Sequence, residues 1–80
     1  MDIKDLGKDD GIIVNTQEEW NKLLKLGNVN LDEGHFSYFQ NTIMYPTDNT
    51  HSDHDYAIQK GNKLYNVSDF LSVEPNYEIY

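Results

Sequence analysis

Eighty residues carrying fourteen carboxylates, six lysines and no arginine leave a formal net charge of −8. Such a surplus makes a small domain repel itself and argues against DNA, RNA or an anionic membrane as ligand, because arginine is the side chain best suited to gripping phosphate. The absence of cysteine removes disulfides and thiolate metal sites, and the length restricts the chain to one domain with a small core.

Residues 1–10 (MDIKDLGKDD) read as a flexible or loosely docked, acidic N-terminal arm that includes Asp9 and Asp10, with residues 11–80 as a single domain. The arm is charged and does not resemble a signal peptide, so a cytoplasmic setting is expected. The β-branched run Ile12-Ile13-Val14 predicts a short buried strand; as the longest apolar run, it is too short to cross a membrane.

A helix over about 17–26 follows from several agreeing signals. Thr16 and Glu19 have capping-box spacing, and Trp20, Leu23 and Leu24 fall on one helical face. Glu18 and Glu19 near the start and Lys22 and Lys25 near the end match the helix dipole, and Gly27 is a candidate C-cap. Residues 28–34 form a polar loop holding Asp32 and Glu33.

Residues 35–45 are aromatic and β-rich, with hairpin and single bent strand both open, and Pro46 ends them. Residues 47–55 (TDNTHSDHD) are all polar and read as an exposed loop. Beyond it, residues 56–59 and 63–67 flank Lys60-Gly61-Asn62, which predicts a β-hairpin turning at Gly61-Asn62. Ser68 caps a short helical turn over residues 69–71, and residues 77–80 alternate as a last strand after Pro75. The expected architecture is α+β: one main helix packed on an antiparallel sheet of about three to five strands.

The chemistry-bearing residues point away from catalysis. His51 and His54, among Asp48, Asp53 and Asp55, have a spacing that zinc or nickel tolerates, but a solvated loop uses the same residue types for its turns. An EF-hand loop is excluded because the glycine and glutamate its geometry demands are absent. No G-x-S-x-G motif, phosphate-binding glycine loop or carboxylate pair in unlike environments is present, so neither an enzyme nor a cofactor is expected.

What remains is acidity combined with six tyrosines and one tryptophan. About half of Tyr38, Tyr45 and Tyr56 are expected to pack on the sheet, whereas Tyr65, Tyr77 and Tyr80 are expected at the surface, where tyrosine anchors interfaces. The carboxylates come largely in pairs: Asp9-Asp10, Glu18-Glu19, Asp32-Glu33 and Asp53/Asp55. Such pairs imitate backbone phosphates and fit a basic groove built for nucleic acid, with steered, salt-sensitive binding.

The stretch Ile12-Ile13-Val14-Asn15-Thr16-Gln17-Glu18-Glu19-Trp20 resembles the strand-then-capped-helix opening of short phage reading frames. Tyr65-Asn66-Val67-Ser68-Asp69-Phe70-Leu71 is similar to their strand-then-turn ending. With its small size and arginine-free acidity, the chain resembles the small acidic inhibitors of phages and mobile elements, anti-CRISPR proteins among them. The likeness is one of type and transfers no functional residue. It implies inhibition of a nuclease by occupying the surface with which that nuclease reads nucleic acid.

The partner expected is thus a basic protein surface, met by a monomer or weak dimer that binds neither nucleic acid nor membrane. Two other readings share parts of the evidence: an immunity or antitoxin protein for a basic toxin, and a metal- or small-ligand-binding module built on His51 and His54.

Overall fold

The computed structural model describes residues 2–36 and 42–70. Its elements are β1 (Gly11–Ile13), α1 (Gln17–Gly27), β2 (Ile43–Tyr45), β3 (Thr50–Ser52), α2 (His54–Lys60) and β4 (Leu64–Asn66), with 3-10 turns at Ile3–Asp5, Glu33–His35 and Val67–Asp69.

The strands form one sheet in the order β3-β2-β1-β4. β2 pairs antiparallel with both β1 and β3, whereas β4 lies parallel to β1. The fold is α+β as expected, but the sheet is mixed rather than antiparallel. The cause is α2: a chain that leaves β3 through a helix can cross the sheet and enter β4 parallel to β1, which a two-residue turn cannot achieve.

Alternation along these short strands divides the core. Ile12, Val14 and Met44 face α1, where they meet Trp20 and Leu23; Val29, Phe36 and Val67 complete that layer. Ile43 and Tyr45 face the opposite way, packing with Ala57 of α2 and with Ile13 and Leu64. A helix therefore covers each side of the sheet, one with a broad apolar face and one with a single alanine.

α1 forms where the sequence predicts it. The Thr16 hydroxyl accepts the Glu19 amide at 3.1 Å. Glu19 reaches back to the amide of Asn15 at 3.1 Å, one residue before the position a capping box specifies. At the other end Asn28, not Gly27, adopts the left-handed conformation (φ 51°), and the Val29 amide closes on the Leu24 carbonyl at 2.9 Å. Gly27 is the last helical residue, and a Cβ there would lie 2.9 Å from Ile3 Cδ1. Its small size lets the N-terminal turn approach.

That approach docks the arm over 1–10 on the core, the second of the two forms expected for it. Ile3 and Leu6 are buried in the α1 layer of the core, and the Thr47 hydroxyl donates to the Leu6 carbonyl at 2.8 Å. Two apolar residues suffice because the surface they cover lies beside α1.

Residues 47–55 contain a turn, the edge strand β3 and the start of α2, not a continuous loop. Residues 56–59, expected as a hairpin strand, are helical. Asp53 caps them by accepting the Tyr56 amide at 2.7 Å, and Gly61 ends them in the left-handed region (φ 73°). The expected turn over 69–71 starts earlier, at Val67, and the Asp69 carboxylate accepts the Asn66 amide at 3.2 Å. The expected strand over 77–80, and residues 37–41 of the segment 35–45, lie outside the described residues.

Because so little apolar surface holds α2, its cap should matter. Asp53→Ala is expected to cost about 1 kcal/mol. Urea denaturation checks this: the midpoint should fall for Asp53→Ala and stay nearly constant for Asp55→Ala, whose side chain caps nothing.

Candidate functional site

Two acidic segments are brought together by polar contacts between α1 and the turn at Glu33–His35. Gln17, in the first turn of α1, donates its side-chain amide to the Glu33 carbonyl at 2.8 Å and to Asn21 Oδ1 at 2.9 Å. One turn later, the indole N–H of Trp20 donates to the Asp32 carbonyl at 3.0 Å. These bonds hold the first turn of α1, which carries Glu18 and Glu19, against the turn that carries Asp32 and Glu33. Lys22 answers part of this charge through Glu18, at 3.6 Å. Among the described residues no cation pairs with Asp32 or Glu33.

The remaining lysines do little to offset it. Lys8 lies 4.0 Å from Asp48, while Lys60 and Lys63 sit over the rings of Tyr56 and Tyr65 at 5.8 and 5.2 Å. The contact with Tyr65 raises the pKa of Lys63, chiefly through a side-chain hydrogen bond, so this lysine stays charged.

Several candidate carboxylates serve the backbone. Asp10 folds back to accept the Gly7 amide at 2.7 Å, and Glu19 and Asp53 act as described above. Asp48 accepts the Thr50 hydroxyl at 3.2 Å as well as meeting Lys8. Asp9, Glu33 and Asp55 are exposed, and their side chains take no part in such bonds, which leaves them free for a partner. Glu18 is equally exposed, held only by Lys22.

The tyrosines divide differently from expectation. Tyr45 is buried, as part of its group is expected to be, and its hydroxyl joins Ser52 Oγ at 2.9 Å and Asn62 Nδ2 at 3.1 Å. Tyr65 is half-buried against the core, its ring 5.9 Å from that of Phe70, so it is not the free anchor expected. Tyr56, a candidate for the same packing, is 50% exposed on α2 beside Ile58, 57% exposed. A helix turns successive side chains by 100° rather than alternating them, which moves Tyr56 outward. Tyr38, Tyr77 and Tyr80 lie outside the described residues.

A pocket of about 130 Å³ between α2 and the β2–β3 turn is lined by Lys8, Asp9, Asp48, Tyr56 and Lys60 among others. Its lysines and aspartates oppose each other and leave no net field for a charged ligand. His51 and His54 belong to β3 and to the first turn of α2, respectively. Among the described residues no three histidine or carboxylate side chains are grouped to hold a metal ion.

His51 instead meets residues that the sequence does not single out. Its register partner is Met44, which in turn pairs with Ile12, so its position in the sheet puts it on the α1 side. There its ring stacks on His35 and takes an edge contact from Trp20. Burial first, and the His35 charge second, hold its pKa below the ordinary value.

A scan against protein-family models and searches of curated proteins and solved structures found no match. Among the described residues no helix is long and apolar enough to cross a membrane.

Proposed function

We propose that the protein is a non-enzymatic, anti-CRISPR-like inhibitor. Its acidic surface docks on the basic nucleic-acid-binding surface of a host defence protein and competes there with DNA. The observation that supports this reading is the pinning of the α1 segment bearing Glu18 and Glu19 to the turn bearing Asp32 and Glu33 through the Gln17 and Trp20 hydrogen bonds, with Lys22 the one cation paired into the group among the described residues. The exposed carboxylates of these joined segments, Glu18, Asp32 and Glu33, repeat the role of a run of phosphates. A groove lined with lysine and arginine attracts both by the same long-range field. The host cytoplasm is where such a target is met.

Catalysis needs groups with strongly separated protonation behaviour inside a cavity, and the exposed carboxylates of this surface are better suited to electrostatic contact. Asp55 and the exposed Tyr56 on α2 provide a second surface, on the other side of the sheet.

The reading is tested by displacement of target DNA from RNA-guided nucleases of the Cas9 type, followed by fluorescence anisotropy. Wild-type protein should displace DNA from its cognate nuclease, less effectively as salt rises. Asp32→Lys with Glu33→Lys should weaken this by about 10- to 100-fold, as like charges now face each other. The pair should change folding stability by about 0.5 kcal/mol or less, the usual range for exposed positions. Equal displacement by wild type and double variant would overturn the assignment of this surface.

A further inference from the structure

Two imidazoles from separate parts of the chain lie face to face beside the single tryptophan. His35 ends the turn Glu33–His35 and His51 is central in β3; their ring centroids are 4.9 Å apart with planes inclined at 24°. Trp20 meets His51 at 6.0 Å and 87°. His35 Nδ1 accepts the backbone N–H of Asp32 at 3.2 Å, so that nitrogen carries its lone pair and the ring proton resides on Nε2. The carbonyl of Asp32 is the acceptor for the Trp20 indole N–H. Both polar backbone groups of Asp32 thus meet aromatic side chains, one of which is an imidazole, although the carbonyl also accepts the backbone amide of His35 at 3.1 Å.

An imidazolium has N–H groups at both ring nitrogens. A protonated His35 therefore has nothing with which to accept the Asp32 N–H, and a charge on either ring faces the other across the stack. The charged and titratable groups around the pair are Asp32 and Glu33 on the turn, Glu18, Glu19 and Lys22 on α1, and Asp48, Asp53 and His54 on either side of β3. None of these forms an ion pair with either imidazole among the described residues. The acids act on the pair only through solvent-screened attraction, while a charge on one ring faces the other directly across the stack.

We propose that the His35–His51 stack is a proton-operated latch on the acidic turn. With both rings neutral, the stack and the Asp32 N–H···Nδ1 bond hold Asp32 and Glu33 against α1. Protonation breaks that bond, drives the rings apart and frees the turn from the sheet. Any consequence for partner binding rests on the function proposed above; the release itself does not.

The lowered pKa of His51 fits the same direction. Because folding favours its neutral form, its contribution is present above the ordinary imidazole value of 6.5 and is lost as pH falls through the lowered folded value.

The test is an NMR titration of the whole chain between about pH 8 and pH 5, the range in which histidine changes charge. The imidazole nitrogens of His35 and His51, the amide of Asp32 and the indole N–H of Trp20 are followed together. The Val14 amide, which donates to the Thr42 carbonyl at 3.0 Å, reports on the sheet. The Asp32 amide and Trp20 indole signals should move with the midpoint of the histidine titration. Indole hydrogen exchange, corrected for its intrinsic pH dependence, should rise about tenfold as its hydrogen bond loosens, while Val14 stays fixed. In His35→Phe the Asp32 amide, which has lost its imidazole acceptor, should no longer follow the histidine titration. The latch is contradicted if both signals stay still while the imidazoles titrate, if they move only together with Val14, or if the Asp32 amide of His35→Phe titrates like that of wild type.

Discussion

Trp20→Ala is expected to abolish the folded state or leave it marginal, at a cost of about 3–5 kcal/mol. Trp20 is 0% exposed and is the largest of the fully buried side chains, central among Leu23, Phe36 and Met44. Its ring lies 6.0 Å from Phe36, so its loss opens a cavity that a core this small has few side chains to refill. A small domain has only about 5–15 kcal/mol in total, and self-repulsion among the acids reduces this one's share. Trp20→Phe separates packing from positioning. It keeps most of the ring but removes the N–H that holds Asp32, so it should retain the fold at a smaller cost of about 1–2 kcal/mol. Thermal unfolding of the two variants checks both statements; equal transitions would show that the indole N–H, not the ring volume, is what matters.

Gly11→Ala is expected to destabilise the sheet by about 1–3 kcal/mol through overpacking. A Cβ at this position would stand 2.5 Å from Ile43 Cγ2, 2.9 Å from Tyr45 Cε1 and 3.1 Å from Leu64 Cδ2. All three neighbours belong to the thin layer beneath α2. Ile43 is fully buried and Tyr45 is held by Ser52 and Asn62, so neither has space into which to retreat. The requirement is for room rather than backbone freedom, and it predicts coupling: in an Ile43→Ala background the penalty for Gly11→Ala should shrink. Chemical denaturation of the four proteins in that cycle measures it. Strict additivity would mean that the strain lies elsewhere.

These two positions also show what the sequence can and cannot reveal. α1 is legible because independent local signals coincide: a capping threonine, an apolar face led by Trp20, and charges of the right sign at each end. α2 is not, because Ala57 is the only residue it buries, and one alanine makes no periodic pattern. Asp53 and Gly61 are its true start and stop signals, but Gly61-Asn62 also reads as a two-residue hairpin turn, which makes Tyr56 to Gln59 look like a strand. Misreading that helix hides the crossover, and with it the parallel pairing of β4 on β1.

The acidic surface is legible in kind and only partly in membership. Paired carboxylates are visible in the chain, but whether each holds a backbone amide depends on local geometry. Asp10 and Asp53 are engaged in that way, whereas Asp55 is not. The meeting of His51 with His35 and Trp20 depends on strand register across β2, a long-range property that spacing along the chain does not encode. His54, nearer in sequence, is the natural but misplaced partner.

The central claim is that an anionic face, not a cavity or a metal, is what this protein uses. Its most direct test compares wild type with a variant carrying Glu18→Gln, Asp32→Asn and Glu33→Gln, which leaves Glu19 intact and gives the N-cap position of Asp32 to asparagine, an equally good cap. Each is immobilised in host lysate at low and high salt, and the retained proteins are identified by mass. The account predicts that wild type retains a basic nucleic-acid-binding protein, released by salt, that the neutralised variant fails to hold at equal folding stability. Retention of the same protein by both would contradict it.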